Sequence, residues 1–251
     1  QHILQEAIDG FKLSGVGLEG EDSKRFKAIK ERLSLLSNQF SKNALKATNE
    51  WTKTVELDEL KGYGETELAK IKTDKGYELS LQMPVYMDVM TYLDNRQLRE
   101  EVYKAYVSRA SEVGITSSEY NNQAIMNEIL VLRHEMATIL DFDNYAQLSI
   151  ESKMVESVDQ ILDFLMNLVD KSKHQAQTEL DELAQFAGIA LQPWDLGFYS
   201  EQLKEQKFGF KKSDLTPYFP EHKVLEGLFS TKLRLGKLMS RAIIQMYEYC
   251  K

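Results

Sequence analysis

Residues Asp22 to Trp51 read DSKRFKAIKERLSLLSNQFSKNALKATNEW. Apolar side chains fall at Phe26, Ile29, Leu33, Leu36, Phe40, Ala44, Ala47 and Trp51. Steps of three and four place them on one stripe of a helix with 3.6 residues per turn. One long amphipathic helix is therefore expected here, with Asp22 or Ser23 as its cap.

The same periodicity recurs along the chain. Asp94 opens a second helix, where Asp94 and Gln97 have capping-box spacing and Leu98, Val102, Ala105 and Tyr106 form the apolar face. Glu119–Leu140 reads as a third helix. Ser157–Ala187 reads as a fourth, with Val158, Ile161, Leu162, Leu165, Leu168 and Val169 expected to be buried. Another helix is expected from Asp195 to Lys207, and a last one near Pro220, where a missing N–H costs nothing. Between the first two helices, Thr52–Val55 and Tyr77–Met83 have strand character, punctuated by Gly62, Gly64 and Gly76, with a short helix at Glu65–Lys72. The fold class expected is mainly α with a small β-hairpin. No internal repeat or linker is evident.

Composition agrees. Only 13 Gly and 4 Pro occur in 251 residues, so helix breakers are scarce. The net charge of -8 provides no electrostatic footprint for nucleic acid. The charge is uneven: residues 231–251 carry five basic groups and one acid, leaving 26 basic and 38 acidic groups elsewhere. A single cysteine, Cys250, forbids an intrachain disulfide and fits a reducing, cytoplasmic setting. No apolar run reaches the ~18–20 residues of a membrane span. The first fifteen residues lack the pattern of a signal peptide, and the chain begins at Gln1, so the natural N-terminus is expected upstream.

Chemical motifs are few. His134-Glu135 begins a zinc-binding pattern, but H-E-x-x-H needs a second histidine four residues on, and Thr138 stands there. His2, His174 and His222 are isolated, and Cys250 lies beside the end of the chain. Glu100-Glu101 and the group Glu179, Asp181 and Glu182 read as solvated helix faces. Gly15-Val16-Gly17 matches neither a dinucleotide fingerprint nor a P-loop and reads as a turn. The aromatics of Trp194–Tyr199 fit packing better than a ligand groove, since Trp and Tyr bury their rings while bonding locally. No catalytic, cofactor-binding or metal-binding residue is assigned.

Several blocks in order resemble the thimet-oligopeptidase family of zinc metallopeptidases, in its oligopeptidase A branch. They are Phe11-Lys12-Leu13-Ser14-Gly15-Val16-Gly17-Leu18, Leu36 to Asn43, Val89 to Arg96, Arg133-His134-Glu135-Met136-Ala137, Asn144-Tyr145-Ala146, Leu191-Gln192-Pro193-Trp194-Asp195-Leu196-Gly197-Phe198-Tyr199, and Pro217-Tyr218-Phe219-Pro220. The resemblance implies a bilobal, zincin-type enzyme that cleaves short peptides in a channel in the cytoplasm. This chain would then be a fragment, supplying the helical wall (residues 1–229) that precedes the zinc helix. Zinc belongs to the full-length family, and none is expected to bind this chain. The chain alone is expected to be inactive. A non-catalytic peptide-binding or regulatory module is the alternative, and apolar faces left bare could drive association. The resemblance fades near Ser230, where the charge turns basic. Residues 230–251 are therefore expected to be a divergent tail, with a shift of reading frame as its origin.

Overall fold

The computed structural model describes residues 2–210 and 212–231. The chain divides into two units, Gln1–Glu201 and Gln202–Lys251. In the first unit the order is α1 (His2–Leu13), α2 (Gly20–Glu50), β1 (Thr52–Val55), α3 (Glu65–Ile71), β2 (Lys72–Thr73), β3 (Gly76–Ser80), α4 (Met83–Tyr92), α5 (Arg96–Val107), α6 (Gln123–Ile139), α7 (Tyr145–Ile150), α8 (Val158–Ala187) and α9 (Pro193–Phe208). The border between the units falls inside α9. In the second unit a turn of helix at Lys212–Leu215 is followed by helical residues 221–231. The expected basic tail lies outside the described residues from 232 onward. The fold is mainly α, as expected.

The long helix exists, but it begins two residues earlier than expected. Glu19 is its N-cap and makes no side-chain cap bond, so neither Asp22 nor Ser23 caps it. Its stripe packs on α6, where Ile29, Leu36 and Leu132 are buried among Leu33, Ile125, Ile129 and Met136. Two bidentate ion pairs fix the register. Arg25 Nη2 donates to Glu135 at 2.7 Å, and Arg32 Nη2 donates to Glu128 at 2.8 Å. Seven residues forward on α2 match seven backward on α6, so the helices run antiparallel. Farther along, Asn43 takes a buried place on the stripe, and its Nδ2 donates to Asn122 Oδ1 at 2.9 Å. Asn122 in turn donates to the Phe40 carbonyl. Buried amides need such closure, because each unmet bond costs about 1–3 kcal/mol.

The sheet has three strands rather than two, in the order β1-β3-β2, all pairs antiparallel. Val55 faces Tyr77 and Thr52 faces Ser80. The second expected strand stops at Ser80, because Pro84 near the start of α4 favours helix at Met83–Tyr92. Leu79, Leu81, Val89, Leu93, Leu98 and Val102 form a core between this sheet, α4 and α5. Gly62 allows the chain to enter it. Its φ is +99°, and a Cβ there would lie 2.1 Å from the Tyr92 carbonyl oxygen.

Two further boundaries differ from the sequence reading. The cap of α5 is Asn95, which accepts from the Leu98 amide, not Asp94. α6 starts at Gln123, after a 3-10 turn at Ser118–Tyr120. α8 covers the span expected for it; Ser157 is its cap, accepting from the Gln160 amide, and the helix ends on Gly188 in the left-handed region. Its expected buried face is only half-buried at Val158 and Ile161, and Leu162, Leu165, Leu168 and Val169 are exposed.

Candidate functional site

The aromatic segment that stands out in the sequence forms the start of α9. Pro193 opens the helix, and Asp195, fully buried, stands in its first turn. Asp195 accepts from Arg96 Nη2 at 2.8 Å and Arg99 Nη2 at 2.9 Å, and from the Gln192 amide at 3.0 Å. Arg99 is itself only 1% exposed. It also donates to the carbonyls of Leu93, Asp94 and Trp194, and its guanidinium lies 4.1 Å from the Phe198 ring centre. Burial pushes the Asp195 carboxyl up, but the bonds from Arg96, Arg99 and the Gln192 amide outweigh it and hold the group below its ordinary value. Gly197 lets α9 approach closely, since a Cβ there would lie 2.9 Å from the Met90 carbonyl oxygen. Trp194 packs against the core beside Tyr103, and Tyr199 meets Phe186 edge-on. The segment is thus a clamp that holds α9 on α4 and α5. A carboxylate shared by two arginines has neither the free lone pairs nor the raised pKa of a general base.

His134, Glu135 and Thr138 do not compose a zinc site. His134 is exposed, Glu135 is held by Arg25, and the Thr138 hydroxyl donates to the His134 carbonyl at 3.1 Å. The Arg25 bond and charge hold the Glu135 carboxyl below its usual value, against a smaller effect of burial. Among the described residues no group of three or more His, Cys, Asp or Glu is placed to hold a metal ion. His174 and His222 are exposed. Cys250 lies outside the described residues, and the side chain of His2 is not described. Glu100 pairs with Lys104, and Glu101 with Lys53. Glu179 and Asp181 accept from Gln175 and Gln177 on their own helix.

Gly15-Val16-Gly17 is a turn between α1 and α2, as expected. It borders a pocket of about 280 Å³ lined by Asp9, Lys12, Leu13, Gly17, Leu18, Ile139, Leu140, Asp141, Phe142 and Glu151. Sequence reading missed this pocket because its walls, α1 with the loop before α2 and the end of α6 with the segment after it, lie far apart along the chain. Asp141 in its wall takes a positive φ of +64°, rare for a residue other than glycine. The buried Asn43–Asn122 pair and the Arg99 clamp were missed too, since an isolated Asn or Arg gives no sign of its burial.

A family model described as peptidase family M3 matches residues 89–245. The chain belongs to peptidase family M3. The match begins within α4, takes in α5 to α9 and runs past Phe229, where the sequence resemblance fades. Oligopeptidase A of Escherichia coli is 44% identical over 92% of this chain, and that of Haemophilus influenzae 43% over 92%. A probable cytosolic oligopeptidase A of Arabidopsis thaliana is 36% identical over 91%. This M3 chain spans 36% of the length of the two bacterial relatives and 35% of the plant one.

Proposed function

We propose that this chain forms the helical wall, over residues 1–229, of a zinc-dependent oligopeptidase that hydrolyses short peptides in the cytoplasm, and that it is inactive alone. The observation that carries the reading is 44% identity to an oligopeptidase A across 92% of the chain. The geometry agrees with a wall segment: the conspicuous polar groups, Asp195, Arg99 and Glu135, are spent on holding helices together. In such an enzyme, zinc would lower the pKa of a bound water and polarise the scissile carbonyl. The residues weighed above do not fit that ion, so no step is assigned to them. The cytoplasmic setting rests on the single cysteine and on the cytosolic plant relative. Among the described residues no helix is long and apolar enough to cross a membrane. Residues 230–251 are proposed as a separate basic tail, and sequencing the coding DNA in all frames tests its origin.

The functional test uses a quenched fluorescent peptide of about ten residues, offered to the purified chain with and without zinc. No cleavage is expected. Cleavage that follows zinc stoichiometrically and stops with a chelator overturns the reading. Saturable peptide binding without cleavage would instead favour a binding module.

A further inference from the structure

α8 changes character along its length. In Val158–Val169, eight of twelve residues are apolar: Val158, Ile161, Leu162, Phe164, Leu165, Met166, Leu168 and Val169. At about 100° per residue they cover an arc of about 200°. A helix that is apolar over so much of its surface belongs inside a larger body. Here Leu162, Phe164, Leu165, Met166, Leu168 and Val169 are exposed, Phe164 at 62% and Met166 at 57%, while Val158 and Ile161 in the first turn are half-buried. The Asp170–Ala187 half is polar with a narrow stripe, and that stripe is used: Leu183 is buried and Phe186 meets Tyr199 of α9. Asp159, Asp163 and Asp170, all exposed, line one edge of the bare arc.

We infer that Val158–Val169 is a docking surface for the part of an M3 oligopeptidase that lies outside this chain, seated in a groove formed by at least two elements. The inference rests on the oligopeptidase reading. Two observations choose this occupant over a second copy. A seam between two identical helices covers a stripe of roughly 100°, which would leave half of the arc wet. The relatives, which share this region, carry about two thirds of their length beyond the share this chain spans. The aspartate edge calls for basic groups on one lip of the groove.

The experiment places this chain in E. coli oligopeptidase A in exchange for the matched third, and compares the parent chimera with Leu165→Asp. The isolated chain carries the same substitution as a control. The expected result is a soluble chimera that cleaves peptide, and a Leu165→Asp form that melts at least 5 °C lower and cleaves at least tenfold more slowly. The isolated chain should stay monomeric, with its melting temperature unchanged by the substitution. A substituted chimera that melts and cleaves like its parent overturns the inference, as does an insoluble parent chimera. So does an isolated chain that loses its own fold on substitution, or one that sediments as a dimer dispersed by it. A soluble chimera that is sensitive to Leu165→Asp but cleaves nothing keeps the docking surface and overturns the oligopeptidase reading instead.

Discussion

α6 and the first half of α8 are written in the same code and end in different states. Each presents an apolar stripe at helical spacing. The stripe of α6 lies on α2, with Leu132 buried and two bidentate ion pairs flanking the seam. Among the described residues, that of α8 is half-covered at Val158 and Ile161 and exposed at Leu162, Leu165, Leu168 and Val169. Periodicity specifies which face of a helix seeks cover, but the cover must come from another element. Among the described residues α2 provides it for α6, and the Leu162–Val169 part of the α8 face goes without.

Substitutions should separate the covered region from the bare one. The largest loss is expected at the clamp. Asp195→Ala strands the buried Arg99 charge and should cost about 3–5 kcal/mol in a urea melt. The pH dependence follows from the depressed Asp195 pKa. Its contribution is complete above the unfolded value of about 3.9 and is lost as pH falls through the lower folded value. Asp195→Ala should therefore flatten the acid limb of the stability profile. Next comes a matched pair of truncations. Ile29→Ala, at the α2–α6 seam, should cost about 2–5 kcal/mol. Leu165→Ala should stay within about 0.5 kcal/mol in the isolated chain. Equal losses would erase the contrast. Asn122→Ala strands the Asn43 amide and should cost about 1–3 kcal/mol. The smallest change is expected from Arg25→Gln. Its pair with Glu135 is exposed and screened by salt, so the melting shift should be at the edge of detection and vanish at high salt.

Much of this was legible in the residues. The steps from Phe26 to Ala47 specify α2, and the apolar spacing over Ser157–Ala187 gives the span of α8. The helix α4 was hidden because Tyr77 to Met83 alternates like a strand, and Pro84 was not weighed as a helix-starting residue. The α8 face was misjudged for a different reason: periodicity reports a demand for burial, and burial depends on atoms that a local pattern does not contain. The clamp was half legible. Trp194 to Tyr199 drew attention, but its partners Arg96 and Arg99 lie almost a hundred residues earlier, and only the fold brings them to Asp195. No reactive group was assigned from sequence, and the clamp is built for holding rather than for catalysis.

The central claim, that one amphipathic helix is covered within this chain and the other is left for a partner, is tested most directly by amide hydrogen exchange on the isolated chain. The account predicts strong protection across Gln123–Ile139 and exchange at least a hundredfold faster across Val158–Val169, because an unpacked helix opens locally at little cost. Equal protection of the two segments would contradict it.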